Sequence, residues 1–232
     1  MRALIFDCDG VLVDSEALAE ETLETHLRQW LPDLDIPTLL SQALGMTTAN
    51  ILQHLEQLSR HQLPPNAAEL VDNGIEARLA RELTAIAGVH AAISEIDLPK
   101  AVVSNSRRCR VLASLATTQL DGALGDVPIF TAEQVENPKP NPAIYHLAAN
   151  ALGCPPSHCL VVEDSVAGVT AAYAAGMRVI GFVGASHVDE QQPSRLLAAG
   201  AWRILPHMRG LHALVDEWQS HLQGQDNNET AQ

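Results

Sequence analysis

Residues 3–10 read ALIFDCDG, a compact apolar run that ends directly in two acids and a glycine. The run Ala3–Phe6 is typical of a buried strand, and Gly10 supplies a turn straight after it. Residues two apart on an extended segment share a face, so Asp7 and Asp9 both point to the same side. One carboxylate can act as a nucleophile while the other carries a proton. The alternative is a pair of loop acids that cap the next segment, but the turn directly after a buried strand favours a reaction centre.

Further apolar runs return later in the chain, and each is followed by helical or turn-rich sequence. They cover residues 101–103, 127–130, 160–162, 179–182 and 202–205. Strands that alternate with helices predict an α/β fold with a Rossmann-like, mostly parallel sheet. Between the first and second strands, residues 15–83 show helical spacing and no strand pattern, which predicts an inserted all-helical domain. The predicted domains are an α/β core of residues 1–14 and 84–222, the helical insert 15–83, and a polar tail 223–232.

Composition excludes several classes of partner. The chain has 232 residues, 47% apolar and 18% charged, and a formal net charge of −14. Nucleic acids and anionic membranes call for clustered Lys and Arg, so neither is an expected partner. No apolar stretch approaches the roughly 20 residues that span a bilayer, and no signal peptide is expected, since Asp7 and Asp9 interrupt the first apolar run. Four cysteines without zinc-type spacing indicate free thiols. We therefore expect a soluble cytoplasmic protein, as a monomer or small homo-oligomer.

The second strand ends in a Ser-Asn pair. Ser104 and Asn105 follow Val103, and a serine hydroxyl with the backbone N–H groups of a following helix can cradle an oxyanion or a phosphate. The alternative is that Ser104 is only a helix N-cap. Together with the other motifs, the pattern favours the phosphate cradle.

Lys139 stands in the stretch NPKPNP at residues 137–142, where three prolines restrict the backbone. The chain contains only Lys139 and Lys100, against twelve arginines. The chain otherwise uses Arg for positive charge, and this lysine lies in a rigid loop. This placement suggests a compact charge that is directed inward rather than a solvated loop residue.

Glu163 and Asp164 follow the apolar run 160–162, and Ser165 can cap the helix that comes next. Together with Asp7 and Asp9 they would bring several carboxylates into one crevice. Each close pair of like charges costs about 4 kcal/mol at an effective dielectric near 20. One lysine cannot offset that charge and also admit a phosphate. A hard divalent cation can, and an oxygen-only ligand set points to Mg²⁺.

These motifs, in this order, resemble the haloacid dehalogenase (HAD) superfamily, in the branch with a helical cap inserted after the first strand. The stretches Asp7–Glu16 and Glu163–Ser165 look like the β-phosphoglucomutase and sugar-phosphate phosphatase group. Within it, Val102–Asn105 and Glu163–Gly168 are similar to bacterial 6-phosphogluconate-type phosphatases. The resemblance covers essentially the whole chain and implies the HAD fold.

The resemblance implies a role for each motif residue. Asp7 would be the nucleophile that forms an aspartyl-phosphate, and Asp9 would protonate the leaving alcohol and then activate water. Ser104 and the Asn105 backbone would hold the phosphoryl oxygens, while Lys139 would bridge the phosphate and Asp7. Mg²⁺ would be held by the Asp7 carboxylate, the Asp9 carbonyl and Asp164, with Glu163 in support.

Departures from the family pattern reduce the number of activities that are expected of this chain. Dehalogenases typically lack the second acid, so Asp9 favours phosphoryl transfer. β-Phosphoglucomutases use a cap histidine where this chain has Ala19, and both mutases and phosphonate-cleaving members use a cap lysine that residues 15–83 lack. The expected function is a phosphatase for a small sugar phosphate or a phosphorylated sugar acid such as 6-phosphogluconate. The alternatives are a β-phosphoglucomutase-like mutase, a 2-haloacid dehalogenase and a non-catalytic phosphate-binding protein.

Three further residues are candidates for substrate contacts. Gly45 and Met46 lie in a segment that resembles the substrate-facing cap loop of related enzymes, although a methionine such as Met46 is more often a core residue. Arg107 follows the predicted phosphate cradle and could meet a carboxylate or hydroxyls of a sugar phosphate. A solvated helix position explains Arg107 equally well.

Overall fold

A computed structural model describes residues 1–43 and 48–229. Six strands in this part of the chain form one sheet: β1 (Ala3–Asp7), β2 (Lys100–Ser104), β3 (Ile129–Thr131), β4 (Cys159–Glu163), β5 (Arg178–Phe182) and β6 (Arg203–Leu205). Every neighbouring pair is parallel, and the strand order is β3-β2-β1-β4-β5-β6. This arrangement confirms the predicted α/β fold class with a parallel sheet.

The two central strands are apolar except at their last residues, Asp7 and Glu163, because both of their faces are covered. All five residues of β1 and all five of β4 are buried. A parallel sheet with helices on both sides requires such continuous apolar runs rather than alternating ones. From β1 the chain proceeds through β2 and β3 toward one edge, and from β4 through β5 and β6 toward the other. Open α/β sheets bind ligands at the carboxyl ends of strands where the order reverses in this way.

Strand ends differ slightly from the expected ranges. The predicted strand 127–130 begins only at Ile129, because Pro128 has no N–H to donate to a neighbouring strand. The carbonyl of Pro128 still accepts a hydrogen bond from Val102 N at 3.0 Å. Trp202 precedes β6, although its N–H donates to the Val179 carbonyl at 2.7 Å.

Residues 15–83 form one compact unit, and the rest of the described chain forms the other. The first unit contains four helices in its described part: α1 (Glu16–Trp30), α2 (Ile36–Gln42), α3 (Thr48–Leu58) and α4 (Ala67–Glu82). No strand occurs among its described residues, so the described part of this insert is all-helical. α1 packs on α4, and Gly74 permits the close approach because a Cβ there would lie 2.7 Å from the His26 ring.

The sheet unit carries the remaining helices: α5 (Val89–Glu95), α6 (Arg108–Thr117), α7 (Leu120–Leu124), α8 (Ala143–Ala151), α9 (Val166–Ala174), α10 (Gln192–Ala199) and α11 (Leu211–Glu229). α11 continues into the polar segment 223–232 as far as Glu229. Within residues 1–43 and 48–229, no helix is both long and apolar enough to cross a membrane.

The buried centre of the sheet should dominate stability. Leu4 lies on β1 with no exposed surface, whereas Leu112 on α6 is 46% exposed. Leu4→Ala should lower the free energy of unfolding by about 3 kcal/mol, because it leaves a cavity in a closely packed core. Leu112→Ala should change it by at most about 0.5 kcal/mol. Urea unfolding of both variants, followed by circular dichroism, checks this. Equal losses in the two variants would contradict the assignment of β1 to the core.

Candidate active site

Three of the sequence motifs meet at the carboxyl edge of the sheet. Asp7, Ser104 and Glu163 are the last residues of β1, β2 and β4. β1 lies between the other two strands, and its Asp7 is in register with Val103 of β2. Strand register therefore brings together side chains that are far apart in sequence.

Lys139 occupies the middle of this edge, in the loop between β3 and α8. Its ammonium donates to Asp7 Oδ1 at 2.6 Å and to Glu163 Oε1 at 2.6 Å. A third donation, at 3.1 Å, goes to the carbonyl of Val103. The lysine side chain is only 3% exposed. The structure thus places Lys139 inside the core as the counter-charge of two buried carboxylates.

The side chain of Asn105 holds the loop that carries Lys139. Its side-chain Nδ2 donates to the Lys139 carbonyl at 3.1 Å, and its Oδ1 accepts from the Lys139 backbone N at 3.1 Å. The two bonds form a reciprocal pair between the end of β2 and the Pro-rich loop. The sequence suggested a role for the Asn105 backbone, whereas this contribution of its side chain was missed.

Asp9 is held by two hydroxyl groups. Its Oδ2 accepts from Ser106 Oγ at 2.8 Å and from Ser104 Oγ at 3.2 Å. Ser104 Oγ in turn accepts from the backbone N of Ser106 at 2.9 Å. Ser104 therefore orients an acid of the first motif and also satisfies the backbone of the following turn. Ser106 was not singled out, although its position two residues after Ser104 was a usable signal.

Glu163 is fully buried, and both of its carboxylate oxygens are occupied by donors. Oε1 accepts from Lys139 and from the Tyr145 hydroxyl at 3.0 Å, while Oε2 accepts from the backbone N and the Oγ of Ser165, each at 3.0 Å. Ser165 also caps α9, because its Oγ accepts from Gly168 N at 3.0 Å. Four donors satisfy the acceptor sites of a carboxylate. Tyr145 was missed because nothing in its local sequence indicates a polar partner.

Two glycines make room for the carboxylates. Gly10 has φ +74°, and a Cβ on it would lie 1.9 Å from Asp164 Oδ2. A Cβ on Gly168 would lie 1.7 Å from Glu163 Oε1. Both positions therefore require glycine, Gly10 for its backbone conformation as well as for space.

A group of carboxylates here could hold a divalent cation. Asp7, Glu163 and Asp164 each offer an oxygen, and these oxygens lie within 4.8 Å of one another. The donors already on Glu163 leave Asp7 and Asp164 as the better ligands, with Glu163 beside them. Carboxylate oxygens suit hard cations, so the donor set fits a divalent metal.

Burial and mutual charge shift the proton affinities of this cluster. Burial raises the pKa of the Asp7 carboxyl well above its ordinary value; the Lys139 ammonium opposes the rise, and the Glu163 and Asp9 carboxylates add to it. Burial alone would lower the pKa of Lys139, but Asp7 and Glu163 raise it well above its ordinary value. The two carboxylates therefore favour the charged form of the lysine.

The remaining predicted substrate residues are Arg107, Gly45 and Met46. Arg107 is exposed and directly precedes α6. Gly45 and Met46 lie outside the described residues.

A residue that was not predicted, His187, has Nε2 3.4 Å from Asp164 Oδ2, and burial lowers its pKa. The loop that carries it is attached to Asp14, whose Oδ1 accepts from the N and Oγ of Ser186.

The close contact at Gly168 gives a direct test of the Glu163 geometry. Gly168→Ala should displace the Glu163 carboxylate and break its contact with Lys139, at a cost of about 1–3 kcal/mol in unfolding free energy. Gly122 on α7 is the matched control, because no heavy atom other than those of its chain neighbours and its own helix backbone lies within 4 Å of the position that a Cβ would take there. Gly122→Ala should therefore be neutral or slightly stabilising. Thermal unfolding of both proteins is the measurement. Equal melting temperatures for the two variants would show that the space between Gly168 and the Glu163 carboxylate accommodates a methyl group.

Comparison with known proteins is consistent with this geometry. The chain is 31% identical over 188 residues to 6-phosphogluconate phosphatase of Escherichia coli (strain K12), covering 81% of this chain and 85% of that protein. A solved haloacid dehalogenase-like protein of unknown function from Agrobacterium tumefaciens str. C58 superposes with a TM-score of 0.85 at 34% identity, covering 94% of this chain and 98% of that one. A HAD family hydrolase from Deinococcus radiodurans R1, solved with bound phosphate and sodium, gives a TM-score of 0.80 at 30% identity, with 94% and 96% covered.

The family assignment rests on a long match. The family model for haloacid dehalogenase-like hydrolases matches residues 4–182, which include all four motifs of the site. With the parallel sheet and the similarity to the relatives above, this shows that the chain belongs to the haloacid dehalogenase-like hydrolase family.

Proposed function

We propose that this protein is a Mg²⁺-dependent phosphatase that hydrolyses a small phosphate monoester through an aspartyl-phosphate on Asp7. The observation that carries the proposal is the buried contact of Lys139 with Asp7 and Glu163, beside an Asp9 held by two serines. A nucleophile, a proton carrier and a cation thus stand together at the ligand-binding edge of an α/β sheet. Such a set is what phosphoryl transfer to a carboxylate needs.

The proposed reaction has two steps. In the first, an Asp7 oxygen attacks phosphorus, the bond from phosphorus to the ester oxygen breaks, and Asp9 gives a proton to the leaving alcohol. In the second, Asp9 takes a proton from water as that water attacks phosphorus, and the bond to Asp7 breaks. The sum is a monoester plus water going to an alcohol plus inorganic phosphate. The hydrogen bonds from Ser104 and Ser106 support the Asp9 role, because they restrict the carboxyl group to one orientation.

Charge compensation is the main demand on this site. A phosphate monoester adds negative charge next to Asp7, Asp9 and Asp164. Lys139 supplies one fixed positive charge from the protein interior. Mg²⁺ held by Asp7, the Asp9 carbonyl and Asp164, with Glu163 in support, would supply the remaining positive charge and polarise the phosphoryl oxygens. The Asn105 backbone lies at the end of β2, where it would bind those oxygens. Ser104 would bind them by turning its single O–H from Asp9 to the phosphoryl group.

The substrate class follows from the family relationship together with the composition of the insert. A relative that covers most of this chain is named 6-phosphogluconate phosphatase. We therefore propose a sugar phosphate or a phosphorylated sugar acid as the substrate, with Arg107 as a candidate partner of a sugar-acid carboxylate. Residues 15–83 contain no lysine, which favours water over a second sugar as the phosphoryl acceptor.

The nucleophile assignment can be tested by an isosteric change. Asp7→Asn removes the charge and most of the nucleophilicity of the attacking oxygen, so phosphate release should fall by at least about 10³-fold. The exposed Asp126→Asn is the matched control and should keep wild-type rates. Phosphate release from a panel of sugar phosphates and phosphorylated sugar acids, with Mg²⁺ present, is the measurement. An Asp7→Asn enzyme with wild-type turnover would exclude Asp7 as the nucleophile.

Metal dependence gives an independent test. Removal of divalent cations with a chelator should abolish phosphate release, and Mg²⁺ should restore it. Asp164→Asn should weaken Mg²⁺ binding about 10- to 100-fold, because one anionic ligand becomes neutral. Calorimetric titration with Mg²⁺ measures the affinity without turnover, with Asp126→Asn again as the control. Full activity after chelation would refute the Mg²⁺ requirement.

A further inference from the structure

The ammonium of Lys139 has no N–H left for a phosphate. A lysine ammonium carries three donors. They go to Asp7 Oδ1, Glu163 Oε1 and the Val103 carbonyl, at 2.6, 2.6 and 3.1 Å. A phosphoryl oxygen that takes a hydrogen bond from Lys139 must therefore displace one of these three acceptors.

Glu163 is the acceptor best prepared to be displaced. Its Oε1 also accepts from the Tyr145 hydroxyl, and its Oε2 keeps both donors from Ser165. When Lys139 turns away, three hydrogen bonds to this buried carboxylate remain. A buried carboxylate oxygen left without any donor would be strongly disfavoured, so the hydroxyl of Tyr145 lowers the cost of the exchange.

Tyr145 is held in place for this contact. The residue has no exposed surface and lies in the first turn of α8, where its backbone N donates to the Pro142 carbonyl at 3.0 Å. Its ring centroid lies 5.3 Å from Lys139 Nζ, within cation–π range. The tyrosine ring therefore stabilises the Lys139 ammonium. The tyrosine hydroxyl donates to Glu163, the carboxylate to which that ammonium also donates.

We propose that Tyr145 is a positioning residue of the phosphatase site: its hydroxyl holds Glu163 Oε1 so that Lys139 can transfer one N–H from Glu163 to the phosphoryl group. Tyr145 does not touch the substrate in this scheme, and it acts through Glu163 and Lys139. The inference rests on the proposed function, because the proposed phosphatase reaction supplies the phosphoryl group that Lys139 binds.

Tyr145→Phe tests the role of the hydroxyl alone, because it keeps the ring and its packing. Without the tyrosine hydroxyl, Lys139 would be the only remaining donor to Glu163 Oε1. Substrate and inorganic phosphate would then have to compete with Glu163 for the N–H of Lys139. We expect KM and the dissociation constant of inorganic phosphate to rise about tenfold, with kcat changed less than about twofold. Steady-state kinetics and calorimetric titration of the Mg²⁺-loaded enzyme with inorganic phosphate are the measurements.

The chain offers one matched control, since it contains only two tyrosines. Tyr173 is 62% exposed, and its ring packs over Gly200 rather than in the site. Tyr173→Phe should leave KM, kcat and phosphate affinity unchanged. Urea unfolding of both variants separates a loss of stability from a loss of phosphate affinity.

A merely structural role for Tyr145 predicts a different pattern. Stability would fall, the active fraction and hence kcat would fall with it, and KM and phosphate affinity would stay at the wild-type values. That pattern, or no change at all in phosphate affinity, would overturn the proposal. In the background Glu163→Gln, which removes the carboxylate, the effect of Tyr145→Phe on phosphate affinity should shrink to about twofold or less. An undiminished effect there would also overturn it.

The phosphate titration keeps this inference distinct from the proposed function. Wild-type protein that binds inorganic phosphate but turns over no phosphate ester would refute the phosphatase proposal. The Tyr145 contribution to phosphate binding would still be decided by the same titration of the two tyrosine variants.

Discussion

The ion pairs of Lys139 with Asp7 and Glu163 are the interaction on which the site depends. Both carboxylates are buried at the end of central strands, where an unpaired charge is strongly disfavoured. Removing one partner of a buried pair typically costs about 3–5 kcal/mol, since the other charge is left without compensation. The lysine thus offsets the charge of two buried carboxylates at the sheet edge. A solvated lysine on the same loop could not do so.

The surrounding residues follow from the need to hold this lysine and these acids. Asn105 attaches the lysine loop to the end of β2 through two hydrogen bonds. Gly10 and Gly168 leave space for Asp164 and Glu163, where any side chain would collide with a carboxylate oxygen. Each of these residues holds a charged side chain in place or leaves space for it. Precise placement of this kind is what an active site requires of its supporting residues.

The hydrogen-bond pattern also separates the roles of adjacent acids. Glu163 has four donors and serves the lysine, the tyrosine and the start of α9. Asp164, the next residue, points toward Gly10 and His187 and belongs to the carboxylate group that suits a cation. Two neighbouring carboxylates of similar chemistry are therefore directed to different tasks by the alternation of side chains at the end of β4.

The sequence by itself determined the fold class, because the periodicity of apolar residues distinguishes buried strands from amphipathic helices. It also pointed to the acids, the serine and the lysine, since each stands at a strand end or on a rigid loop. Only the tertiary structure decided which of them touch: Lys139 and Asp7 are 132 residues apart, and Lys139 and Glu163 are 24 apart. The partners Tyr145, Ser106 and His187 came from the structure as well. Contacts of this kind depend on strand register and on the angle at which each loop leaves the sheet, and local sequence patterns do not encode either.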